Sequence, residues 1–132
     1  MPKTVAISRK HILVVDDEPF VCDAVKMMLD FDGHSVETAH SAKEALGMFE
    51  EGKFDLVITD LRMPTFSGRG VLALASALPK LPVIIITAFG GPLVEAQALQ
   101  LGAFAFLEKP VAAAELVDVV KRAIEASPIR EV

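Results

Sequence analysis

The chain has 132 residues, 52% of them hydrophobic, and 13 Lys and Arg against 18 Asp and Glu give it a formal net charge of -5. A single domain of that size buries a core without disulfides or metal staples, and an acidic balance with no basic cluster argues against a nucleic-acid surface. Cys22 is the only cysteine, which excludes an internal disulfide; the three histidines are scattered and form no zinc set, and the longest apolar run, PVIIITAF, is far below the roughly 18 residues of a membrane span.

The opening MPKTVAISRKH is basic with no apolar segment behind it, so residues 1–9 read as a lead-in and the expected setting is reducing and cytoplasmic. HILVV (11–15) is predicted as the first strand, and Asp16, Asp17 and Glu18 follow it. Pro19 suits a first helical turn, and Phe20, Val21, Ala24, Val25, Met28 and Leu29 form an apolar stripe that stops before Gly33. Met27 and Met28 are read as core or edge packing. HSVETAH (34–40) is a weaker strand that suits a sheet edge. Ser41 with Glu44 makes a capping box ahead of Ala45, Leu46, Met48 and Phe49, closed by Gly52.

FDLVI (54–58) is the third strand and delivers Thr59 and Asp60; a helix is predicted over 68–78. PVIII (82–86) is the fourth strand, followed by Thr87 and Ala88. The next helix opens through Gly90, Gly91 and Pro92, a start that weakens its first turn by about 1 to 2 kcal/mol, and it ends before Gly102. AFAFL (103–107) is the fifth strand, with Glu108, Lys109 and Pro110 after it, and a last helix is predicted over 111–126, ahead of a tail or the start of a linker at 127–132.

These strands are nearly continuous in Val, Ile and Leu, as parallel strands covered on both faces require. Strands alternating with helices specify an α/β domain with right-handed crossovers and a mostly parallel sheet; among doubly wound folds of this size the expected order of the five strands is 2-1-3-4-5, with a ligand crevice at their carboxyl ends. On that rim Asp16, Asp17 and Asp60 meet, with Thr87 and Lys109 arriving from the strands beyond. Two carboxylates about 4 Å apart repel by roughly 4 kcal/mol at an effective dielectric near 20, so a cation must offset them. Lys109 can neutralise one charge, and Mg²⁺ favours a site of one or two carboxylates with waters. Taken one at a time, acidic residues at strand ends are solvated helix caps; five polar residues converging are not explained that way. Together a carboxylate, a divalent ion, a hydroxyl and an ammonium suit phosphoryl transfer onto Asp60, with Thr87 and Lys109 on the phosphoryl oxygens. Asp60 is expected at the rim rather than as a buried charge.

VVDDEP (14–19), ITDLRMPTFSG (58–68), ITA (86–88) and GAFAFLEKP (102–110), in that order, make the chain resemble a bacterial response-regulator receiver domain over residues 10–126, with the flavodoxin-like (βα)5 fold of that family. The resemblance implies that Asp60 is the phosphoacceptor, that Asp17, Asp16, Asp60 and the backbone carbonyl of Arg62 serve Mg²⁺ or Mn²⁺, and that Thr87 and Lys109 bind the phosphoryl group. It also implies a cis Lys109-Pro110 bond, a glycine at Gly68 after the phosphorylation loop, and a switch in which Phe106 replaces the usual Tyr and couples to Thr87 through packing. Arg62 and Phe89, two residues beyond Asp60 and Thr87, add bulk that is expected to slow hydrolysis of the acyl phosphate.

The implied phosphodonor is a sensor histidine kinase, a histidine phosphotransfer protein or a small acyl phosphate. The implied output is a protein target, or a second copy, on the face of the helix after Pro92, the fifth strand and the last helix, where a mean hydropathy of +0.47 leaves room for an apolar patch. No turnover enzyme is expected: an aspartyl phosphatase needs a second acid two residues after its nucleophile, where this chain has Arg62, and a flavin site would be repelled by Asp-Asp-Glu. The competing readings are a pseudo-receiver that only docks a partner, and a receiver piece of a larger regulator or hybrid kinase.

Overall fold

The computed structural model describes residues 10–51, 54–61, 81–88 and 90–126, without the side chains of Glu50 and Glu51. The lead-in, the helix predicted over 68–78 with Gly68, the tail, and the positions of Arg62 and Phe89 lie outside the described residues.

The described chain runs β1 (His11–Val15), α1 (Pro19–Phe31), β2 (Ser35–Ala39), α2 (Ala42–Glu51), β3 (Leu56–Thr59), β4 (Val83–Thr87), α3 (Pro92–Gln100), β5 (Ala105–Glu108) and α4 (Ala113–Ala126). The strands form one sheet, all parallel, in the order β2-β1-β3-β4-β5. The predicted fold class and strand order are those observed.

Each face of the sheet carries its own apolar layer, because neighbouring residues of a strand point to opposite sides. Leu13, Val15, Val57, Val83 and Ile85 pack on the side of α2 and α3, with Ala45 and Ala98. Ile12, Val14, Leu56, Ile58, Ile84 and Ile86 pack on the side of α1 and α4, against Cys22, Val25, Leu29, Leu116, Val119, Val120 and Ala123. With both faces covered, a strand has no polar alternation to show, and its apolar run reads as continuous. Burying one such Leu or Ile side chain contributes about 1.5 to 3 kcal/mol.

Strand limits differ from the sequence reading by one or two residues. Phe54 and Asp55 precede β3, because the Asp55 N–H donates to the His11 carbonyl at 2.7 Å and its carboxylate accepts from the His11 N–H at 2.9 Å, a clasp at the amino end of the sheet. Ser41 caps α2 as predicted, accepting from the Glu44 N–H at 3.0 Å, but Glu44 reaches back to the N–H of His40 rather than to that of Ser41.

The apolar stripe of α1 is corrected by the structure. Cys22, Val25 and Leu29 face the core, whereas Phe20 is 88%, Met27 70% and Phe31 95% exposed. Positions 22, 25 and 29 repeat at i, i+3 and i+7; 20, 24, 27 and 31 lie along the opposite ridge. Exposed apolar bulk is thus shared between α1 and the region of Leu93, Leu99, Leu101 and Phe104. The last helix does not add to it: Leu116, Val119 and Val120 are buried, and its outer face carries Glu115, Asp118, Lys121, Arg122 and Glu125.

The approach to α3 takes its shape from two glycines for different reasons. Gly91 has φ 140°, where a side chain is strained. At Gly90 a Cβ would stand 2.7 and 2.8 Å from Cδ and Cγ of Glu108, whose side chain lies across the glycine.

His34, at the turn into β2, is buried and its Nδ1 accepts from the Lys10 N–H at 3.3 Å. Burial lowers its pKa, Lys10 adds to the effect, and Asp32 and Asp55 oppose it. The folded protein therefore binds fewer protons at this site than the unfolded chain, so stability is full above the ordinary histidine value and falls as pH drops below it. The unfolding free energy measured by urea titration is expected to decline from pH 7 to pH 5 by at most about 1.4 kcal/mol per pH unit from this residue, and His34→Gln should flatten that slope. An unchanged slope in the variant would assign the decline to other groups.

Candidate functional site

Parallel register builds the site. Val15 pairs with Thr59 and Thr87 with Glu108, so the next residues of β1, β3 and β5 leave the sheet at one rim. Backbone bonds continue past the strands: Asp16 N–H donates to Ala39 at 3.0 Å, Asp60 N–H to Val15 at 3.1 Å, and Lys109 N–H to Thr87 at 2.9 Å. Thr87 is buried at the end of β4, and the Lys109-Pro110 peptide is cis.

Lys109 lies at the middle of the rim. Its Nζ stands 2.8 Å from Asp60 Oδ2, 2.9 Å from Asp16 Oδ2 and 2.9 Å from Glu18 Oε1. Asp16 is 2% exposed and Asp60 4%, which corrects the expectation that Asp60 is not a buried charge; the Lys109 ammonium contacts both carboxylates. Burial raises the pKa of Asp16, against the lowering effect of Lys109. Burial alone would lower the pKa of Lys109, but its hydrogen bonds to Asp16, Asp60 and Glu18 outweigh that, and the net shift is upward. Lys109 is therefore a fixed positive charge at neutral pH.

Asp17 is exposed next to this cluster. Phe106 is half-buried and packs on the layer that holds Ile85 and Ala98, in register with Ile85. The Cys22 thiol lies beneath the rim, 3.4 Å from the Asp16 carbonyl, and burial pushes its pKa up to about 11, so it stays protonated. Among the described residues no three His, Cys, Asp or Glu side chains are grouped so as to hold a metal ion. Of the three carboxylates on Lys109, Asp16 and Asp60 are buried, and a pair of hard oxygen donors completed by waters is what Mg²⁺ takes. The donor chemistry fits that ion with Lys109 moved aside.

The structure brings Asp16, Asp60 and Lys109 into direct contact, with Thr87 on the backbone of Lys109. The sequence reading gave no role to Glu18. Its signal was the third acid of Asp-Asp-Glu, placed before the Pro19 that starts α1.

A family model of the response regulator receiver domain matches residues 12–121. The chain belongs to that family. As a receiver domain it is 40% identical over 118 residues to the transcriptional regulatory protein GlrR of Escherichia coli, a match that covers 89% of this chain and 27% of that protein. The receiver thus spans about a quarter of that relative's length. Among solved structures it is similar to a CheY-like response regulator receiver domain protein from Methanospirillum hungatei, with a TM-score of 0.84 and 33% identity over 89% of this chain and 95% of that one. It is also similar to the beryllofluoride-activated NtrC4 receiver domain dimer, with a TM-score of 0.82 and 30% identity over 87% of this chain and 96% of that one. Among the described residues of the receiver no helix is long and apolar enough to cross a membrane.

Proposed function

We propose that this receiver accepts a phosphoryl group on Asp60 from a sensor histidine kinase or histidine phosphotransfer protein in a Mg²⁺-dependent reaction, with Mn²⁺ as a substitute ion. The observation that carries this reading is the buried pair of carboxylates, Asp16 and Asp60, held on one ammonium at 2.9 and 2.8 Å. A carboxylate oxygen of Asp60 attacks phosphorus. The P–N bond of a phosphohistidine, or the P–O bond of an acyl phosphate, breaks, its electron pair leaves with the donor, and Asp60 becomes an acyl phosphate. Lys109 passes from the carboxylate to the phosphoryl oxygens and neutralises charge there, and the Thr87 hydroxyl donates to one of them. Asp16, Asp17, Asp60 and the Arg62 carbonyl would hold the metal, which when bound offsets the negative charge shared by acceptor and donor.

The switch follows from packing. Thr87 sits at the head of the loop to α3, and Phe106 lies half-buried against the same layer, so an inward move of Thr87 opens space that the Phe106 ring can fill. Moving such an equilibrium from 1:99 to 99:1 takes about 5.5 kcal/mol, which two or three charge-assisted bonds of about 1.5 to 3 kcal/mol supply. Arg62 and Phe89 would lengthen the life of the phosphorylated state by obstructing water. The domain proper is residues 10–126, with 1–9 and 127–132 as flanks, and it works in the cytoplasm without turning over an external substrate. Its output goes through α3, β5 and α4 to a protein partner or a second copy; the apolar side chains Leu93, Leu99 and Leu101 with the charged outer face of α4 support a protein surface there, and the dimer of the NtrC4 receiver supports self-association.

The test is intact mass after incubation with Mg²⁺ and acetyl phosphate. Wild type is expected to gain one phosphoryl group and Asp60→Asn none. A gain retained in the variant would remove Asp60 from this role, and no gain in wild type would favour the docking-only reading.

A further inference from the structure

The phosphotransfer reading leaves Glu18 without a purpose, yet its placement is fixed from both sides. Its N–H donates to Asp16 Oδ1 at 2.9 Å, and its carbonyl accepts from the N–H groups of Val21 and Cys22 in the first turn of α1. That anchoring presents its carboxylate to Lys109 Nζ at 2.9 Å, across 91 residues of sequence. The Glu18 side chain is 61% exposed, against 3% for Asp16 and 5% for Asp60, so Lys109 has two inner partners and one outer partner.

A divalent cation and the ammonium compete for the same inner oxygens. When the ion takes them, like charges repel and Lys109 must yield ground. The outer carboxylate is the partner that remains. We propose that Glu18 is a positioning residue for Lys109: it receives the ammonium at the rim as a divalent cation takes Asp16, and so weakens the competition that Lys109 sets against the metal. This inference rests on the Mg²⁺ reading above. It assigns Glu18 no contact with the ion, and its effect passes entirely through Lys109.

The measurement is Mg²⁺ affinity by titration calorimetry, with MgCl₂ as the only ligand, on wild type, Glu18→Gln, Lys109→Met and the double variant. Glu18→Gln is expected to weaken Mg²⁺ binding about two- to fivefold in the wild-type background, the range that an exposed ion pair commands, and to have no effect once Lys109 is gone. Glu18→Asp should restore part of the loss. Equal weakening in both backgrounds would mean that Glu18 acts on the ion directly and would overturn the proposal, as would an unchanged affinity in the single variant. Failure of wild type to bind Mg²⁺ would overturn the metal reading itself, a result distinct from either. If Lys109→Met does not fold, the Lys109 side-chain ¹⁵N resonance decides: at saturating Mg²⁺ it should stay slow in hydrogen exchange in wild type and broaden in Glu18→Gln. The same behaviour in both proteins would overturn the proposal.

Discussion

Lys109→Met is expected to lower the unfolding free energy by about 3 kcal/mol at pH 7, the cost of taking the ammonium away from two buried carboxylates. Methionine keeps most of the stem's volume, so the loss is electrostatic and not a cavity. The two carboxylates that lose this contact, Asp16 and Asp60, are 2% and 4% exposed. Glu18 contributes little to the sum, because its side chain is solvated. The loss should appear as a lower urea midpoint with the slope unchanged, followed by far-ultraviolet circular dichroism because the chain has no tryptophan or tyrosine. Adding Asp60→Asn to the Lys109 variant should recover a substantial part of it, since the two residues form one pair and their effects are not additive. A midpoint like that of wild type would mean that solvent already reaches the cluster.

Asp16→Asn is expected to act in the opposite direction, stabilising the protein by about 1 kcal/mol while weakening Mg²⁺ by at least about tenfold. Burial is the largest influence on this carboxylate and disfavours its charge. Asparagine keeps an oxygen for the Glu18 N–H, which Asp16 Oδ1 accepts at 2.9 Å, and relieves the repulsion with Asp60. One group would then weaken the fold and serve the proposed metal. Urea unfolding and calorimetric titration of the same variant check both signs. A destabilised variant would show that the bond from Lys109 to Asp16 is worth more than the desolvation it offsets.

Both predictions concern residues whose meeting was legible in the sequence. Asp16, Asp60, Thr87 and Lys109 each follow an apolar run, and in a parallel sheet every such run ends on the same side. The α/β class followed from the alternation of strands and helices, and the strand order from the doubly wound folds open to a chain of this size. What could not be read was how far each side chain reaches. Glu18 gained its partner only because the sheet brings the end of β5 beside the start of α1, and the spacing of those two residues in sequence carries no hint of it. The stripe of α1 was misassigned for another reason: counting Phe20 as core treats a residue in the first turn as if it lay over the sheet, whereas Cys22, small and easily passed over, is the residue that does. The depth of Asp60 was likewise invisible, since an aspartate that ends an apolar run can lie at the rim or beneath it, and the run alone does not say which.

Gly90 bears on the surface in a way its own chemistry does not suggest. The Glu108 side chain rests across it because there is no Cβ in the way. A Cβ at position 90 would force that carboxylate to move. A position with no charge therefore sets where a negative charge points.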